Sequence, residues 1–200
     1  MPPRNVFCAN NEVTLFKRFY GRVRQHWSSN WKSHLQTLVV AAVVLVGAQA
    51  WQTRGVPSGL APNVDLLIVQ PDGSSTHATL AQWRALHPGQ PVALHFWADW
   101  CPICRTEENS ITRLSEDLPV LTVAMQSGPS DSVSKVLRTR RLPWKTGVDE
   151  SGDATVAFGF KAVPAFVVVD TSGHLRAATV GYTTEIGMRV RLWWASLVPL

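Results

Sequence analysis

Two hydrophobic patterns divide the chain. From Leu35 to Trp51 an apolar stretch of 17 residues carries no charged side chain, and this is at the short end of the length needed for a membrane-spanning helix. From Asp65 onwards, short apolar runs alternate with amphipathic segments, as in a domain whose strands and helices alternate. Residues 52–63, between the two regions, are rich in Gly, Pro and polar residues and predict a linker.

The alternating region predicts a three-layer α/β domain at residues 64–200, with a mixed central sheet flanked by helices. Strands are expected at Asp65–Val69, Pro91–Ala98, Val120–Met125 and Ala165–Asp170, and His174–Tyr182 is expected to pair back as a hairpin. Helices are expected at Ser75–His87, Cys101–Asp117, Asp131–Arg141, Ala154–Phe160 and Thr184–Leu197. Ser130 or Asp131 is the candidate N-cap of the third helix.

The basic residues are concentrated near the N-terminus. Residues 1–34 hold six of the 19 lysines and arginines and only one of the 14 acidic residues, so the net charge of +5 belongs to this tail. The overall charge is therefore no argument for nucleic-acid binding by the folded domain. Two interpretations of the tail stay open: a basic amphipathic helix on an anionic membrane surface, or a cytoplasmic tail without fixed structure.

Positive charge before the apolar stretch predicts its orientation. The positive-inside rule places residues 1–34 in the cytoplasm, residues 35–51 as a single-pass anchor in the inner (cytoplasmic) membrane, and the folded domain in the periplasm or otherwise outside. Ala48-Gln-Ala50 also fits a cleavage pattern, so a cleaved signal peptide is the alternative, and it delivers the domain to the same compartment. A core helix of a cytosolic protein is disfavoured because the stretch has no polar face.

Candidate chemistry resides in two of the three cysteines, Cys101 and Cys104, which form a C-x-x-C pair. No further cysteine pair or Cys/His cluster completes a zinc site, and Cys8 is expected to be a free thiol in a reducing compartment. The pair stands where a buried strand gives way to a helix. Unpaired N–H groups at a helix N-terminus stabilise the thiolate, so Cys101 is expected to attack disulfides. Cys104, one turn later, is expected to be more buried and to resolve the mixed disulfide.

The segment Phe96-Trp-Ala-Asp-Trp-Cys101 and the cysteine pair resemble the active site of the thioredoxin superfamily. They are most similar to its membrane-anchored extracytoplasmic branch, which includes the TlpA, ResA and cytochrome c-maturation thioredoxins. Within this branch, the chain resembles the suppressor-of-copper-sensitivity D type of protein disulfide oxidoreductase in four segments: Cys101–Glu107, Val120–Ser127, Gly181–Glu185 and Arg191–Trp193. The resemblance covers about residues 65–197 and implies a thioredoxin fold with a redox-active Cys101–Cys104 disulfide.

The resemblance also implies roles for residues outside the pair. Val163-Pro164 matches the cis-proline that the family places opposite the cysteines, with the Val163 backbone pairing with substrate; on the sequence alone it is an ordinary proline before a strand. Glu107 matches the acid/base carboxylate of this branch, and the alternative is a surface glutamate on the helix. Trp100 is expected to shield the thiolate and to line the substrate surface.

His95 departs from the pattern of the family, because many thioredoxins have a buried aspartate at this strand position. A buried histidine titrates in the range needed to shuttle protons. The alternative is a core histidine whose ring is satisfied by a backbone carbonyl. The expected proton acceptor is therefore Glu107, His95 or both.

These features predict an extracytoplasmic protein thiol–disulfide oxidoreductase that needs no metal or organic cofactor, because the cysteine pair is itself the redox centre. Its expected partners are protein disulfides and a membrane-embedded or thioredoxin-like redox donor, and the branch resemblance favours a reductant. One alternative is a periplasmic copper-handling protein with the pair as a Cu(I) site, although no Met or His cluster lies nearby in the sequence. A second is a peroxidase-type redoxin, although Cys101 lacks a preceding Thr/Ser-x-x motif.

Overall fold

The structure, a computed structural model, describes residues 31–197. The chain divides into two compact units at Ala48 and Gln49. The predicted anchor lies within helix α1 (Trp31–Gln52, 22 residues), which contains an 18-residue window with a mean hydropathy of 1.5 that is not buried by protein. This helix is long and apolar enough to cross a membrane, although a signal sequence would pass the same test. Residues 1–30 of the predicted tail, including Cys8, lie outside the described residues.

The second unit is built on a seven-stranded mixed sheet with the order β2-β1-β5-β4-β3-β6-β7. Its strands are β1 (Asp65–Val69), β2 (Ser75–Thr79), β3 (Val92–Trp97), β4 (Val120–Met125), β5 (Thr146–Asp149), β6 (Ala165–Val169) and β7 (Leu175–Val180). The β3–β4 and β4–β5 pairs are parallel, and the other pairs are antiparallel. The centre of the sheet is therefore made by helical crossovers, whereas hairpins form both edges.

Helices cover both faces of this sheet: α2 (Leu80–Ala85), α3 (Pro102–Asp117), α4 (Ser130–Arg140), α5 (Asp153–Ala157) and α6 (Glu185–Leu197). Every residue of β3 is buried, and its side chains alternate between two apolar clusters. Ala93 and Trp97 pack in the cluster that contains the cysteines, whereas Leu94 and Phe96 pack in the other. Neighbouring side chains on a strand point to opposite faces of the sheet, so the two clusters lie on opposite faces. Helices cover both faces, and the predicted three-layer α/β fold is therefore confirmed.

Ser75–Thr79, predicted as the start of a helix, is instead strand β2, which pairs antiparallel with β1. The helix begins only at Leu80 because Thr79 caps it. The Thr79 hydroxyl accepts from the Gln82 N–H at 3.2 Å, and the Gln82 side chain accepts from the Thr79 N–H at 2.8 Å. This reciprocal capping box fixes the boundary between strand and helix.

Strand β5 is the second element that the sequence does not predict. Its four residues contain one large apolar side chain, Val148, and the strand pairs with β1 and β4. Gly147 allows close packing here, since a Cβ at that position would lie 2.7 Å from Leu66 Cδ1. The predicted cap of α4 is also wrong: the N-cap is Pro129, and no side chain caps this helix.

The C-terminal part of the predicted linker, residues 52–63, is hydrogen-bonded to the turn between β6 and β7. The Ala61 N–H donates to the Gly173 carbonyl at 2.8 Å, and the Leu175 N–H donates to the Gly59 carbonyl at 2.8 Å. A bridge between Leu60 and His174 completes the contact. The folded domain therefore begins a few residues before the predicted boundary at residue 64.

The turn between β6 and β7 is organised by a buried carboxylate, Asp170. Its Oδ1 accepts from the N–H and hydroxyl of Ser172 and from the His174 N–H, and its Oδ2 accepts from the Arg176 guanidinium. Burial opposes ionisation, but the hydrogen bonds and the Arg176 charge outweigh it and lower the pKa of Asp170 from 3.8 to about 2. The folded state therefore favours the charged carboxylate.

We predict that Asp170→Asn lowers the free energy of unfolding by about 2 kcal/mol at pH 6, because a shift of this size corresponds to about 1.4 kcal/mol per pH unit. Since the folded pKa is the lower one, the stabilisation is complete above about pH 4 and is lost as the pH falls towards 2. Urea denaturation of the full chain between pH 6 and pH 2.5 measures both effects. Asp65→Asn, at an exposed site, is the matched control; an Asp170→Asn variant as acid-sensitive as the wild type would contradict the prediction.

Candidate active site

Cys101 and Cys104 form a disulfide at the N-terminus of α3. Cys101 is the N-cap of this helix, with extended backbone, and the Cys104 N–H donates to Cys101 Sγ at 3.1 Å. Pro102 suits the first helical position because no N–H is needed there. Strand β3 ends at Trp97 and the helix begins at Pro102, so the Cys101 sulfur lies at the N-terminus of the helix, where unpaired N–H groups favour negative charge.

The two residues before Cys101 are fixed by the segment that follows β4. The Asp99 N–H donates to Ser127 Oγ at 3.0 Å, and Trp100 Nε1–H donates to the Gln126 carbonyl at 3.1 Å. Gln126 has a φ of 46°, which is uncommon for a residue other than glycine. The Trp100 side chain is 56% exposed, so its indole is anchored at one edge and open to solvent elsewhere.

Two guanidinium groups converge on the carbonyl of Asp99. Arg140 of α4 donates to this oxygen at 2.9 Å and also to Glu108 Oε1 at 3.0 Å. Arg105 donates to the same carbonyl at 3.3 Å from an exposed position. The sequence gives no indication of the role of Arg140, because its contact depends on the packing of α4 beside α3.

Val163 and Pro164 lie opposite the cysteine pair. The peptide bond between them is cis, and the Val163 carbonyl oxygen is 3.8 Å from Cys101 Sγ. The structure therefore brings together the residues that the resemblance places at the site. Val163 is half-buried, and its carbonyl lies beside the Cys101 sulfur.

Glu107, on the face of α3 that carries Cys104, forms a buried pair with His95 of β3. Their exposed fractions are 1% and 0%, and His95 Nε2 lies 3.1 Å from Glu107 Oε2. The other carboxylate oxygen accepts a short hydrogen bond from the Thr183 N–H. The surface-glutamate interpretation is therefore wrong, and the partner of His95 is a carboxylate rather than a backbone carbonyl. Sequence reasoning missed Thr183, because it contributes only a backbone N–H.

A helix N-terminus, a disulfide and a buried carboxylate one turn after Cys104 form an arrangement suited to thiol–disulfide exchange. Within residues 31–197, no group of three or more His, Cys, Asp or Glu side chains is arranged to hold a metal ion. The copper-site alternative therefore gains no support from the structure.

The fold and the site define a thioredoxin-like protein with a cysteine pair at the start of its active-site helix. The model of the AhpC/TSA family matches residues 60–178, and the chain belongs to this family. Together with the relatives described next, this match confirms the resemblance to the thioredoxin superfamily.

Relatives with established names support the same class of enzyme. A thioredoxin-like protein of Haemophilus influenzae is 30% identical over 113 residues, which are 56% of this chain and 67% of that protein. The thiol:disulfide interchange protein HelX of Rhodobacter capsulatus is 28% identical over 157 residues, 76% of this chain and 87% of that one. A secreted thiol-disulfide isomerase from Corynebacterium glutamicum shares the fold, with a TM-score of 0.58 and 16% identity over 69% of this chain and 86% of that chain. The chain is accordingly a thiol–disulfide oxidoreductase of the thioredoxin type.

We predict that Arg140→Met lowers the free energy of unfolding by about 1–2 kcal/mol, since it removes a charge-assisted hydrogen bond to the Asp99 carbonyl and leaves Glu108 without its partner. Arg105→Met is the matched control, and because Arg105 is exposed its effect should stay within about 0.5 kcal/mol. Urea denaturation of the oxidised full chain compares the two variants. Equal losses would show that Arg140 does not hold this turn.

Proposed function

We propose that this protein exchanges electrons with protein disulfides outside the cytoplasm through Cys101 and Cys104. One observation carries the proposal: the disulfide sits at the N-cap of α3, with Cys101 Sγ next to the Val163 carbonyl. Because the two groups are neighbours, a single extended segment of a substrate that binds the Val163 backbone also lies next to the Cys101 sulfur.

In the reducing direction, the Cys101 thiolate attacks a substrate disulfide and forms a mixed disulfide, and the released substrate sulfur takes up a proton. Cys104 Sγ then attacks Cys101 Sγ, the second substrate sulfur leaves with the bonding electrons, and the Cys104 proton passes to Glu107. The Cys104 N–H, which donates to Cys101 Sγ, stabilises negative charge on Cys101. Cys101 is therefore suited to be the attacking group.

The substrate surface in this proposal consists of backbone and aromatic groups. An extended substrate segment pairs with the backbone of Val163 next to Pro164, and Trp100 contacts its side chains. Main-chain hydrogen bonds give affinity without demanding one substrate sequence. Trp100 adds apolar contact area at low entropic cost.

Partners, location and cofactor use follow from the same proposal. The cysteine pair is the redox centre and needs no metal or organic cofactor. A membrane-embedded or thioredoxin-like donor returns electrons to the pair, and the overall direction is reducing. Residues 35–51, within α1, anchor the protein as a single pass in the inner membrane, with the N-terminus in the cytoplasm and the catalytic domain in the periplasm.

We predict that, with Cys8→Ser present in every variant, Cys104→Ser accumulates a mixed disulfide with protein substrates, because the resolving thiol is missing, whereas Cys101→Ser accumulates none. Non-reducing electrophoresis after incubation with oxidised insulin measures the trapped species, and insulin turbidity measures turnover. Turnover should fall at least about a hundredfold in both variants, since each removes a reacting sulfur. Full insulin reduction by Cys101→Ser would overturn the assignment. Peroxide turnover by the wild type with a thiol reductant would favour the peroxidase alternative instead.

The direction of electron flow is tested by a redox titration of the full chain against glutathione or dithiothreitol buffers. A reductant should have a midpoint potential near that of thioredoxin, roughly −270 mV, whereas an oxidant should lie near that of DsbA, roughly −120 mV. A value close to that of DsbA would contradict the reducing direction and leave the exchange chemistry in place.

A further inference from the structure

The proton chemistry next to the disulfide involves one residue whose role the proposed function leaves open, His95. Its ring is buried on β3, and Nε2 lies 3.1 Å from Glu107 Oε2. The second carboxylate oxygen accepts from the Thr183 N–H. Glu107 is therefore held from two sides, by the central strand and by the loop before α6.

The two nitrogens of the His95 ring have different surroundings. Nε2 faces the carboxylate, but Nδ1 has no hydrogen-bond partner among the described residues. Thr122, which pairs with His95 across β3 and β4, directs its hydroxyl to Thr146 Oγ1 at 2.7 Å and to the Lys145 carbonyl at 3.2 Å. Because a buried N–H without an acceptor is costly, the ring carries its proton on Nε2 and leaves Nδ1 bare.

Charged groups on the surrounding elements are engaged elsewhere. On α3 and α4, Glu108 pairs with Arg140, and at the start of α6, Glu185 pairs with Arg113 and Arg189. Arg191 of α6 donates to the Gly187 carbonyl, and Lys145 before β5 is exposed. The residue opposite His95 on β6 is Phe166, and Trp144 packs against the His95 ring in a T-shaped arrangement with the ring centroids 6.2 Å apart. Cys101 and Cys104 belong to the same core cluster as Trp144 and Phe166, which flank His95.

We propose that His95 is a positioning residue: its Nε2–H donates to Glu107 Oε2, keeps this carboxylate ionised, and so prepares it to take the proton of Cys104 in the resolving step. His95 does not accept that proton itself, because a second ring proton would have to sit on Nδ1, which has no acceptor. In this step the Cys104 S–H proton moves to Glu107, the Cys104–Cys101 S–S bond forms, and the substrate sulfur leaves with the electron pair. The inference rests on the proposed role of Glu107.

Stopped-flow reaction of the reduced full chain with 5,5′-dithiobis(2-nitrobenzoate) separates the steps. The attack of Cys101 releases one thionitrobenzoate, and the attack of Cys104 on the mixed disulfide releases a second, both visible at 412 nm. All variants carry Cys8→Ser, which removes the third thiol. His95→Met removes the donor at similar volume, His95→Gln places an amide N–H near the position of Nε2 without a proton-accepting nitrogen, and Glu107→Gln removes the carboxylate.

We expect His95→Met to raise the midpoint pH of the second release by about one unit and to slow it about tenfold at neutral pH, because a buried carboxylate without its donor stays protonated to higher pH. His95→Gln should return this midpoint to the wild-type value. Glu107→Gln should remove the pH-dependent acceleration of the second release. The first release, from Cys101, is the internal reference in each variant.

Three results would overturn specific steps. If His95→Gln loses the acceleration as Glu107→Gln does, His95 is itself the proton acceptor. If the midpoint of His95→Met equals that of the wild type, His95 does not position the carboxylate. If Glu107→Gln keeps the wild-type profile, the proposed role of Glu107 fails, whatever His95 does. Should His95→Met not fold, His95→Asn replaces it, because its shorter amide reaches only the position of Nδ1 and cannot donate to Glu107.

Discussion

A buried carboxylate is stable only when it is hydrogen-bonded. The hydrogen bonds that Glu107 makes for this reason connect the elements around the active site. One oxygen is bound by His95 on the central strand, and the other by the Thr183 N–H before the last helix. Glu107 itself lies on α3, one turn after Cys104. These contacts link α3 to β3 and to the start of α6, so the helix that carries the cysteines has a fixed orientation on the sheet.

The opposite side of the same helix end is fixed through backbone groups. Ser127, Gln126 and Arg140 bind the Asp99–Trp100 turn, and the Val163 carbonyl stands beside the Cys101 sulfur. Most of these contacts use main-chain atoms, which do not change when side chains are exchanged. These contacts fix the position of the Cys101 sulfur and leave the outer surface of the site, where Trp100 is exposed, uncovered by the rest of the domain.

The sequence predicts those elements whose own residues determine their structure. The apolar runs of β3, β4 and β6, and the strand-to-helix turn at Cys101, carry a signal strong enough to place them. β2 is polar and β5 has four residues, so both become strands only through pairing with β1 and β4, which no local pattern reveals. The same holds at the site: the sequence indicates His95 and Glu107 separately, but their contact exists only once α3 packs on β3. Thr183 binds Glu107 through its backbone N–H, a group that almost any residue carries, so the residue type gives no indication of this contact.

Two buried carboxylates in this domain illustrate why one is structural and the other suits proton transfer. Asp170 accepts four hydrogen bonds, one from the Arg176 guanidinium, and its pKa falls to about 2. Glu107 has two partners, the His95 ring and a backbone N–H, and no guanidinium or ammonium group contacts it among the described residues. In the proposed function Glu107, one turn after Cys104, takes up the Cys104 proton when the disulfide forms and returns it when the disulfide is reduced, a change that Asp170 could not make without losing its ion pair with Arg176.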